Sequence, residues 1–171
     1  RWAGASGDAS LEELYDNINR QEKVNSSKED SQLDFLVRTS LDAQVSSDRI
    51  RAAVSKQPLV RYPGGQLSQQ LQLIASMIRA DLPTRVYYAS LGGFDTHANQ
   101  LNSHANLMRQ LGDTLNAFQQ DLGKQGNTGK VLTMVFSEFG RRVAQNGSGG
   151  TDHGTAAPMF LIGDNVKAGL L

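Results

Sequence analysis

The chain contains no cysteine, which excludes disulfides and thiolate metal sites and leaves oxygen and imidazole donors for any cation. It has no excess charge of either sign. Seventeen basic side chains balance seventeen acidic ones, so no net field points to nucleic acid or an anionic membrane as a partner. No apolar run approaches the roughly 20 residues of a spanning helix. The opening residues RWAGASGDAS lack the apolar centre of a signal peptide. Internal repeats and heptad runs are missing too. The first residue is Arg1 rather than methionine, as expected of a processed or truncated protein. What remains is 171 residues, enough for one ordinary domain with a core and too few for two large ones.

The first part of the chain reads helical. Ser10 with Glu13 three residues on has the pattern of a capping box and predicts a helix start. NSSKED interrupts it. From Ser31, apolar residues at Leu33, Leu36, Val37 and Leu41 predict a second helix running toward Ser55 with a break near SSD. QPLVRYPGG is punctuation. Leu67, Leu71, Ile74, Ala75 and Ile78 then form one apolar stripe, which predicts an amphipathic helix. The expected organisation is a helical segment over 1–59 and an α/β portion over 60–171.

In that second portion, TRVYYASL is short, aromatic and β-branched and is bounded by Pro83 and Gly92-Gly93, which predicts a buried strand. Leu101, His104, Met108, Leu111, Leu115, Phe118 and Leu122 fall on one face of a long helix. VLTMVF predicts a second strand, and AAPMFLIG, after the loop NGSGG and TDHG, a third. Strand, helix, strand, loop, strand is the grammar of an open, mostly parallel sheet with helices on its faces.

In such sheets ligands bind beyond the carboxyl ends of the strands. The polar residues of this chain gather there: GGFDTH after the first strand, SEFGRR after the second and GGTDHG before the third. Asp95, His97, Glu138, Asp152 and His153 are hard oxygen and imidazole donors suited to zinc, manganese, iron, magnesium or calcium. Asp95 and His97 are two apart, so on an extended segment they project to one side. Asp152 and His153 are neighbours, which the surrounding glycines free to turn inward together. The plainer reading of any one of them is a turn or cap residue. Two of only three histidines beside aspartates at separate strand ends favour a shared cation. His104, on the apolar stripe, reads as a partly buried histidine or as a further ligand. Arg141 and Arg142 either hold an anionic substrate group or balance the carboxylates.

YASLGGFDTHANQ, VFSEFGRRVAQNGSGGTDHGTAAPMFLIG and the helix between them resemble the bacterial domain-of-unknown-function family numbered 1501, in the alkaline phosphatase and sulfatase superfamily, over roughly residues 60 to 171. The resemblance implies an alkaline phosphatase-like fold, of which this chain would be an incomplete C-terminal portion. It sets Asp95 and His97 on a first ligand pair, Glu138 on the aspartate of a middle pair and His153 on a late histidine. Phe139 stands where the middle pair supplies a histidine, with Asp152 available from the adjacent loop. A different alignment sets TDHG on the middle pair. The nucleophile comes from earlier in the family's chain; Ser90 and Ser137 are hydroxyls at strand ends with no assigned part.

The resemblance implies hydrolysis of phosphate or sulfate esters, small or polysaccharide, with two ions about 4 Å apart clamping an in-line displacement. The second expectation is a non-catalytic, exported binding or surface-assembly module with a degenerate site. The third is a fragment that pairs with a missing amino-terminal portion, since three strands make a poor independent sheet. A periplasmic or secreted location follows from the family alone.

Overall fold

The structure, a computed structural model, describes residues 30–170. The helix expected from Ser10 lies outside the described residues. Contacts divide the chain into two compact units, Arg1–Lys56 and Gln57–Leu171. In the first, helix α1 spans Asp30–Val54 without interruption. The break expected near SSD is not formed. Serine and aspartate cost a helix only a few tenths of a kcal/mol each, and Arg51 Nη1 meets Asp48 Oδ1 at 3.2 Å across one turn, a spacing that supports the helix.

The second unit is built on two helices, α2 (Gln66–Arg79) and α3 (Gln100–Gln125). Leu67, Leu71, Ile74 and Ala75 of α2 pack with Phe118 and Leu122 of α3 to form the core. Between them Ser68 Oγ and Thr114 Oγ1, both buried, share a 2.9 Å hydrogen bond. Both helices end the same way. After α2, Asp81 is left-handed (φ 54) and the Leu82 N–H reaches the Met77 carbonyl; after α3, Gly126 is left-handed (φ 72) and the Asn127 N–H reaches the Leu122 carbonyl. These closures satisfy carbonyls the helix ends leave open. The expected α3 stripe is packed only in its second half: Leu111, Leu115, Phe118 and Leu122 meet the core, whereas Leu101 and Met108 are exposed.

Beyond the helices the fold is mixed α/β with two small antiparallel ladders. Strand β1 (Thr133–Val135) pairs with β4 (Phe160–Ile162), Met134 opposite Leu161. Strand β2 (Gly140–Arg141) pairs with β3 (His153–Gly154), Arg141 opposite His153. The expected parallel sheet is not among the described residues. A parallel pair needs a crossover, usually a helix, and no helix lies between β1 and β4, so β4 returns antiparallel.

The segment TRVYYASL is extended but forms no ladder. It keeps the alternation of a strand: Tyr87, Ala89 and Leu91 pack on the core, while Val86 and Tyr88 are 83% and 78% exposed. In place of a neighbouring strand, the Gln70 side chain holds it. The Ser90 N–H donates to Gln70 Oε1 at 2.9 Å, and Gln70 Nε2 donates to the Ser90 carbonyl at 3.1 Å.

Candidate metal centre

The chain leaves the core at Leu91 and passes Gly92-Gly93 into a tight turn, closed where the Thr96 N–H donates to the Phe94 carbonyl at 2.9 Å. Asp95 sits in that turn and His97 follows it. Gly93 has φ 96, a conformation that favours glycine.

The loop of residues 146–150 docks on this segment. The Asn99 N–H donates to the Ser148 carbonyl at 3.0 Å and the Gln100 N–H to the Gly149 carbonyl at 2.9 Å. Two N–H groups at the start of α3 are therefore satisfied by loop carbonyls, with no side-chain cap. At Gly150 the approach is so close that a Cβ would overlap the His97 backbone. Asn146 locks the loop. Its Nδ2 donates to the His97 carbonyl at 2.9 Å and to Asp152 Oδ1 at 3.0 Å, and its Oδ1 accepts from the Ser148 and Gly150 N–H groups, each at 3.0 Å.

The β2–β3 ladder brings the third segment. Two glycines face each other in it, and a Cβ on Gly154 would come within 2.7 Å of the Arg141 carbonyl carbon. Glycine after His153 is thus required by backbone contact. The ladder sets His153 beside Asp95, with His153 Nε2 3.1 Å from Asp95 Oδ1. His97 Nε2 lies 3.1 Å from the same oxygen, and the two imidazole rings are 5.0 Å apart.

Asp95, His97 and His153 each offer one ligand atom, and the three atoms lie within 4.8 Å of one another. All three residues are exposed, so an ion can reach them from solvent. The two 3.1 Å nitrogen–oxygen contacts are themselves hydrogen-bond distances, and the three groups lie close enough to bind one ion.

The other candidates fall around this group. Asp152 is adjacent, its Oδ1 3.8 Å from His97 Nδ1. Hydrogen bonding from Asn146 holds its carboxyl below the usual range against a smaller opposing effect of burial, with Arg142 and His97 adding to the lowering. Glu138 is exposed and is not a member of the converging group. Phe139 packs its ring 5.2 Å from that of His153 and walls the imidazole on one side. Arg141 points inward: Nη2 donates to Asp95 Oδ1 and to the Phe94 carbonyl, each at 2.9 Å. The Arg142 N–H donates to the Asp152 carbonyl at 2.8 Å. His104 meets the Phe94 ring edge-on, centroids 5.7 Å apart, outside the converging donors.

The sequence singled out the converging residues but not Asn146, the hub of the loop. The available signal was an asparagine directly before a glycine-rich turn, whose side chain commonly bonds backbone further along.

A family model described as a protein of unknown function, DUF1501, matches residues 8–171, extending over the leading segment as well as the motifs. No curated protein and no solved structure matches the chain.

Proposed function

The chain belongs to the DUF1501 family, and from that premise we propose that it is a metal-dependent hydrolase of phosphate or sulfate esters whose cation is held by Asp95, His97 and His153. The observation that supports this reading most is the convergence of one carboxylate and two imidazoles, drawn from two separate segments, on a patch open to solvent. Two histidines and a carboxylate form a recurring catalytic donor set, with a coordination position left for a water or substrate. A bound divalent ion supplies Lewis-acid polarisation of an ester oxygen. The chain's own part is to orient the donors, through Asn146 and the β2–β3 ladder, and to leave the site accessible. The kinship with alkaline phosphatases and sulfatases, with its larger parallel sheet, and an exported location belong to the same proposal and rest on the motifs.

Phe139 favours a second reading, a one-ion or non-catalytic binding module. An aromatic ring packs on His153 where the resemblance implies another ligand, and Glu138 is outside the group. Hydrolysis of p-nitrophenyl phosphate and p-nitrophenyl sulfate separates the two. Turnover that a chelator abolishes, that added manganese or zinc restores and that Asp95→Ala and His153→Ala lose supports the hydrolase. Stoichiometric metal without turnover of either ester selects the binding module.

A further inference from the structure

The guanidinium of Arg141 is where the segments of the site are tied together. Nη1 donates to the Thr151 carbonyl at 2.6 Å and lies 3.3 Å from His97 Nε2. Nη2 donates to the Phe94 carbonyl and to Asp95 Oδ1, each at 2.9 Å. The group lies 5.0 Å from the Phe139 ring centroid, and Nε is buried without a partner. The Arg141 backbone is fixed as well: its N–H donates to the Ala156 carbonyl at 2.8 Å, and its own carbonyl accepts from Ala156 at 3.1 Å. Its side chain is only 15% exposed, against 60% for Asp95.

An arginine that serves as a clamp for a substrate anion presents a free pair of parallel N–H groups. Here both terminal nitrogens are engaged within the site, on two carbonyls from different loops, on a carboxylate and beside an imidazole. We propose that Arg141 is the positioning residue of the cation centre: its rigid fork holds the Phe94 and Thr151 loops together and fixes the Asp95 carboxylate between His97 and His153. This rests on the reading that those three residues take a divalent ion. Nη2 donates to the same Asp95 Oδ1 that both imidazoles approach, so that oxygen is shared between the fork and the ion; hydrogen-bond partners that orient a metal ligand commonly set affinity by about 10- to 100-fold. Lysine carries the charge but not the fork, so it cannot span both carbonyls and the carboxylate at once.

The test is calorimetric titration of the whole chain with manganese or zinc, alongside thermal melting. Arg141→Ala is expected to bind about 10- to 100-fold more weakly, and free guanidinium at millimolar concentration to recover a large part of that loss. Guanidinium does nothing for Asp95→Ala, which lacks the ligand itself. Arg141→Lys, with charge and most of the volume retained, binds more weakly than the parent at an unchanged melting temperature. That variant decides the matter if Arg141→Ala does not fold. Parental or tighter affinity in Arg141→Lys, or an Arg141→Ala that folds and binds like the parent, overturns the positioning role and leaves the cation centre standing. A parent chain that takes up neither metal removes the centre and the role together.

Discussion

A glycine beside the site is there because backbone lies where its side chain would be. At Gly150 a Cβ would overlap the His97 backbone, so Gly150→Ala must push one loop of the candidate site off the other. The expected cost is about 1–3 kcal/mol, as for other overpacked sites, together with weaker metal uptake; a melting curve and a titration on the same sample check both. The glycine and histidine pattern of GGTDHG was legible in the sequence because close approach and imidazole chemistry are properties of the residues themselves. The inward turn of Arg141 and the four hydrogen bonds of Asn146 were not, because they depend on which carbonyls the fold brings near.

Tyr62 is a second case at this scale. Its hydroxyl donates to Asp121 Oδ2 at 3.2 Å, and Asp121, 1% exposed, also accepts from Gln125 Nε2 at 2.8 Å. Burial, and after it the nearby Asp121 carboxylate, raise the phenol well above its ordinary value of about 10. The folded state therefore keeps a proton that the unfolded chain releases. Its contribution is complete below pH ~10 and is lost as pH rises from there through the folded value. Melting temperatures of the parent are expected to fall more steeply above pH ~10 than those of Tyr62→Phe. Parallel curves would rule this out.

Among the elements, the helices were the most legible, because the 3.6-residue apolar spacing of α2 and the second half of α3 is what the core uses. Phe118→Ala is expected to destabilise the fold by about 3–5 kcal/mol, measurable by urea denaturation. Strand pairing was far less legible. Residues 84–91 carry the period of two, yet pairing requires a partner strand, and here a glutamine side chain supplies the hydrogen bonds instead. Removing it by Gln70→Ala is expected to speed amide exchange at Ser90 about five-fold, the equivalent of one hydrogen bond of about 1 kcal/mol; unchanged exchange would show that the segment is held by packing alone.

For the whole molecule, balanced charge and the lack of cysteine limited the possible chemistry to local clusters of oxygen and imidazole donors, and one such cluster converges among the described residues. No described helix is long and apolar enough to cross a membrane. The family match covers both units, while the site draws on the second alone. On that unit Val86, Tyr88, Leu132 and Met134 are exposed apolar side chains.

Metal stoichiometry tests the central claim most directly. Chelated protein dialysed against manganese or zinc is expected to retain one ion per chain by elemental analysis, and Asp95→Ala, His97→Ala and His153→Ala are each expected to lose it while still folding. A folded parent that retains no ion, or three variants that retain it as well as the parent, would contradict the account.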